Sequence, residues 1–100
     1  MTACAAAHPV PTQAMAKAAV ELHLAEQAGA RRTPDGARLC TASEEALQAS
    51  RKLVGHGKNR ESQVLAERGY NFARHAREQA AVASLATGQA PVVSLAARSQ

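Results

Sequence analysis

The sequence predicts an all-α protein, a small helical bundle of three to four helices, and three observations carry that expectation. Alanine, the strongest helix former, is the commonest residue, and Leu, Arg, Glu, Gln and Lys, which rank just behind it, supply much of the rest. Aromatic residues make up only 2% of the chain and β-branched residues are few, so strand formers are scarce. Apolar positions recur at helical spacing between glycine and proline boundaries. One hundred residues suit one domain over 1–100, read as an N-terminal arm (1–11), a helical core (12–88) and a C-terminal tail (89–100).

The arm carries Pro9 and Pro11, which hold the backbone extended just before a helix can begin. Thr12 is then the expected N-cap of a first helix, Gln13 to Ala28, with Met15, Ala18, Ala19, Leu22 and Ala25 on one face and Gly29 closing it. Val20 and Leu24 form a second stripe, a width that suits a bundle or a dimer. Gly29 to Cys40 reads as a basic loop around a reverse turn, Thr33-Pro34-Asp35-Gly36.

Thr41-Ala42-Ser43-Glu44 fits a capping box that opens a second helix running to Val54, with Ala46, Leu47, Leu53 and Val54 apolar and Gly55 at its end. A short link, Gly55 to Asn59, leads to a third helix from Arg60 to Thr87, capped by Asn59 or Ser62 and ended by Gly88. Its expected seam is Leu65, Gly69, Phe72, Ala76, Ala80 and Ala83, and Gly69 is a candidate break. Large apolar side chains are few, so the core is expected to be thin and a second copy or larger partner would help to complete it.

The residues offer little chemistry. Cys4 and His8, with His23 and Cys40, lack the compact spacing of a zinc site, so no metal is expected and both cysteines are read as thiols. Gly55-His56-Gly57-Lys58 fails the phosphate-loop pattern, because Lys52 stands where that pattern needs glycine and Asn59 where it needs Ser or Thr. Gly57, Lys58 and Arg60 could still meet a phosphate at the start of the third helix. The histidines are scattered and no nucleophile has a base at useful spacing, so neither an enzyme nor a cofactor is expected. Met1 to Val10 lack the features of a secretory signal, no membrane span is evident, and a cytoplasmic protein is expected.

What remains is association. The chain carries a net charge of +4, a mild excess that favours acidic partners. Arg31, Arg32 and Arg38 in the first connection and Lys58 and Arg60 around the second have few acidic neighbours in sequence, which makes them the least neutralised cations, in two separate patches. Arg68, Arg74 and Arg77 form an alternative surface, with Arg74 and Glu78 spaced as an i, i+4 pair.

The first expectation is therefore a small helical interaction protein that occupies a larger protein or nucleoprotein complex, as an adaptor or inhibitor does. Phages and mobile elements encode short chains of this kind against host nucleic-acid-targeting defence, an association of class and not of residues. The alternatives are a helix-turn-helix-like nucleic-acid binder built on the second and third helices, and a structural subunit of a homo-oligomer such as a homodimer.

Overall fold

A computed structural model describes residues 8–86 and shows three α-helices: α1 (Thr12–Gln27), α2 (Pro34–Gly55) and α3 (Asn59–Ala86). A single 3-10 turn, Ala30–Arg32, joins α1 to α2. The expected tail, the expected end of the third helix at Thr87 and most of the N-terminal arm, including Cys4, lie outside the described residues.

Helix α1 matches its expected range to within a residue, but its cap differs. Pro11 takes the N-cap position, while Thr12 lies inside the helix and turns its hydroxyl back toward the Val10 carbonyl. The other end closes as expected, with Gly29 in the left-handed region at φ 86° and its N–H bonded to the Glu26 carbonyl.

The basic loop expected over Gly29 to Cys40 is mostly helix. Thr33-Pro34-Asp35-Gly36 opens α2: the Thr33 hydroxyl accepts the Gly36 N–H at 3.0 Å, Pro34 fills the first turn, where it lacks nothing, and Asp35 meets the positive helix end. Proline has the same φ at the second position of a reverse turn and at the first of a helix, so the tetrapeptide fits both. The expected capping box at Thr41 to Glu44 falls in the helix interior, and Ser43 is wholly buried. Gly57, at φ 74°, ends α2 with paired bonds from the Lys58 N–H to Leu53 and from the Gly57 N–H to Val54.

Helices α2 and α3 run antiparallel along their shared length. Near their connection Ser50 and Ser62 exchange bonds, each hydroxyl donating to the other's carbonyl at 2.8 Å, and farther along Ser43 donates to the Gly69 carbonyl at 2.8 Å. At the far end Thr33 to Asp35 line a groove with His75, Glu78 and Gln79. Most buried positions repeat in alternating steps of four and three: Ser62, Ala66, Gly69, Ala73, Ala76 and Ala80 on α3, and Gly36, Cys40, Ser43, Leu47 and Ser50 on α2, where Ala46 is buried beside the row.

This seam differs from the one expected: Leu65, Phe72 and Ala83 sit half-buried at its flank while serines and alanines fill it. Serine can stand there because its hydroxyl is satisfied by a carbonyl of the facing helix. Small side chains also let the backbones approach closely, and α3 continues through Gly69 without a break. A Cβ at Gly69 would lie 3.2 Å from the Ser43 carbonyl oxygen.

Helix α1 packs parallel to α3 on one side of this hairpin. The Asn59 amide donates to the His8 carbonyl at 2.7 Å, the Lys17 ammonium lies 5.0 Å from the Tyr70 ring centre, and Glu21 binds Arg77. The result is an up-down-up bundle.

Candidate partner-binding surface

The cations singled out from sequence separate into two groups once their surroundings are seen. Arg31 is the most committed: its guanidinium binds Glu26 at 2.8 Å and Glu44 at 3.2 Å, tying the end of α1 to α2. The hydrogen bond to Glu26 raises its pKa above the ordinary value, against a smaller opposing effect of burial. Arg31 is thus not among the least neutralised residues, because the early start of α2 brings Glu44 beside it.

Arg77 is committed in the same sense, although its own side chain stays 44% exposed. It satisfies the carboxylate of Glu21, whose side chain is only 7% exposed, and an unpaired charge there would be costly to bury. Glu21 was not singled out from sequence. Its position amid Ala18, Leu22 and Ala25 on the inner face of α1 was the available signal.

Arg38 pairs with Asp35 at 3.2 Å, and Arg74 reaches Glu78 at 3.9 Å with its guanidinium 5.9 Å from the Tyr70 ring centre. Both pairs are exposed and add little stability. Arg32, Lys58, Arg60 and Arg68 take part in none of the ion pairs among the described residues. Arg32 lies at one end of α2, and Lys58 and Arg60 lie beyond the other. With 22 residues in α2, at about 1.5 Å each, these ends stand about 33 Å apart.

The surface between those ends was not read from sequence. Leu39, Ala46 and Leu53 recur every seven residues on α2, and Leu65 and Phe72 do so on α3. Helix α1 contacts the hairpin through Tyr70 and Arg77 of α3 and through Glu44 of α2, by way of Arg31. At about 100° per residue, the rows holding Leu39 and Phe72 lie on the opposite flank of each helix. They therefore share one face of the hairpin, away from α1. Leu39, Leu53, Leu65 and Phe72 are all half-buried, and Ala42 and Ala49 continue the α2 side.

No group of three or more His, Cys, Asp or Glu side chains gathers among the described residues. His23, His56 and His75 are exposed on separate helices or turns. Cys40 is wholly buried, and burial pushes its thiol pKa up, which keeps it in the weakly nucleophilic protonated form. No helix among the described residues is long and apolar enough to cross a membrane.

Compared with protein-family models, with curated proteins and with solved structures, the chain matches none.

Proposed function

We propose that this chain is a non-enzymatic helical interaction protein that works by association with a macromolecular partner, as an adaptor or inhibitor does, in a cytoplasmic setting. The observation that carries this reading is an inversion of side-chain size. Among the described residues the largest side chains wholly removed from water are those of Cys40, Ser43, Ser50 and Ser62; Leu22 and Leu47 are nearly so, whereas Val20, Val64, Val82 and Leu85 are exposed and Leu39, Leu53, Leu65 and Phe72 are half-exposed. A chain with so few large apolar residues gains most from them when a partner covers them.

The face bearing Leu39, Leu53, Leu65 and Phe72 is the association surface in this reading. Arg68 stands on it, with Arg32 toward one end and Lys58 and Arg60 toward the other. Such cations steer encounter, while the apolar centre supplies the greater part of the affinity. The side-by-side antiparallel course of α2 and α3 supports this reading over a helix-turn-helix, whose second helix crosses the first at a wide angle to enter a groove.

Affinity capture from the source cells tests the proposal. The parent is expected to retain a macromolecular partner that Phe72→Asp loses by ten-fold or more, about 1.4 kcal/mol, while its circular dichroism spectrum stays helical. Charge reversal at Lys58 with Arg60 is expected to act more weakly. If both variants capture the same material as the parent, the reading is wrong.

A further inference from the structure

We propose that the hairpin face is first occupied by a second copy of this chain, forming a twofold dimer whose axis runs parallel to the helices. The inference rests on reading that face as an association surface, and it names the occupant from the charge pattern along the borders.

Beside the apolar rows run two charged rows with the same seven-residue repeat: Arg38, Glu45 and Lys52 on α2, and Glu61, Arg68 and His75 on α3. The antiparallel register set by Ser50 with Ser62 and by Ser43 with Gly69 puts Lys52 level with Glu61, and Glu45 level with Arg68. Within one chain these levels bring no pairing: Glu45, Lys52, Glu61 and Arg68 are exposed and enter none of the ion pairs among the described residues. A twofold axis parallel to the helices lays α2 of one copy over α3 of the other without changing level. Glu45 then meets Arg68 of the second copy, and Lys52 meets its Glu61, on both borders at once.

The apolar rows fit the same arrangement. Leu39 comes level with Phe72, and Leu65 comes level with the stretch between half-buried Ala42 and Ala49, where α2 offers only the buried Ala46, so these large side chains face either one another or a shallow strip of alanine. The other three plausible sources of complementarity fail: an acidic partner would oppose Glu45 and Glu61, a basic one Lys52 and Arg68, and an uncharged one would leave all four unpaired. The size also suffices. Two adjacent helices about 10 Å wide, overlapped for about 30 Å, cover about 600 Å² per copy, which clears the roughly 1,000 Å² total of a specific interface.

Charge exchange between copies provides the test, read by sedimentation or light scattering on the purified chain. The parent is expected at about twice the 10.4 kDa chain mass. Glu45→Lys alone sets cation against cation on both borders, Arg68→Glu alone sets anion against anion, and each is expected to weaken dimerisation by about ten-fold or more. An equal mixture of the two variants restores opposite charges on both borders and is expected to dimerise near the parent affinity. Recovery on mixing requires both variants to be folded, so misfolding cannot imitate it.

A parent still monomeric at about 1 mM overturns the proposal. So do single variants that dimerise as well as the parent, or a mixture no tighter than its components. A monomeric parent whose partner capture still depends on Phe72 would refute the second copy and leave the interaction reading standing. A dimer that captures nothing would do the reverse.

Discussion

Replacing Gly36 by alanine is expected to destabilise this bundle strongly, although alanine is the better helix former by about 1 kcal/mol. A Cβ at Gly36 would lie 1.9 Å from the carbonyl oxygen of Ala30 and 2.9 Å from the Thr33 hydroxyl. Neither neighbour can withdraw as a flexible side chain would, because one is backbone and the other is the group that caps α2. The 3-10 turn must therefore shift, or the first turn of α2 must unwind, and Arg31 loses its place between Glu26 and Glu44.

A cost of about 3 kcal/mol, the upper part of the usual range for overpacking, corresponds to a melting point lower by about 12–24 °C in a chain of this size. Gly55→Ala is the matching control. Nothing lies within 4 Å of a Cβ there, and its melting point is expected to hold or rise slightly. Thermal melts that rank the two variants the other way would show that the α1–α2 connection is not closely packed.

The second large effect is expected in the seam. Ala73 is wholly buried in the cluster that contains Leu22, Ala25, Cys40 and Ala76. Ala73→Leu adds three carbons between helices whose approach is set by alanine and serine, so α3 must move away from its neighbours. The nearby Ser43 to Gly69 bond breaks in the same displacement, leaving a hydroxyl and a carbonyl to find water. Together these effects are expected to cost about 2–4 kcal/mol. A urea titration should show an earlier midpoint with little change in slope, since the surface exposed on unfolding is nearly the same. An unchanged midpoint would mean that the seam has room to spare.

Both substitutions bear on what could be read from the residues in advance. The helices were legible because glycine and proline bound them and because periodicity within each is strong. The start of α2 was not, since Thr33-Pro34-Asp35-Gly36 satisfies turn chemistry and cap chemistry alike. What favours the helix is the continuation through Leu39 and Cys40, which leads into the buried seam. The seam itself was displaced by the habit of seeking large side chains inside: Leu65 and Phe72 drew the inner face toward themselves, although Ser62, Ala66, Gly69, Ala73, Ala76 and Ala80 already showed an unbroken repeat.

The candidate surface was legible in part. The separation of the two turns followed from short connections, but the internal use of Arg31 and Arg77 depended on Glu44 and Glu21. Sequence distance hides both pairings. Arg77 stands 56 residues from its partner. The charged rows beside the hairpin face acquire meaning only when the antiparallel register is known, because their complementarity is between copies and not along the chain.

The seam of small residues also bears on how stability varies with temperature. The heat capacity of unfolding grows with the apolar surface released to water, and a chain of this length ordinarily shows about 1.2–1.5 kcal/mol/K. Alanine and serine release little such surface, and apart from Leu22 and Leu47 the larger apolar side chains among the described residues are already partly in contact with solvent while it is folded. A smaller heat-capacity increment is therefore expected for the monomer, and calorimetry at several pH values would measure it from the slope of enthalpy against melting temperature. Its consequence is a shallow stability curve. Cooling erodes the fold slowly, and cold denaturation recedes to a lower temperature than a larger increment would give.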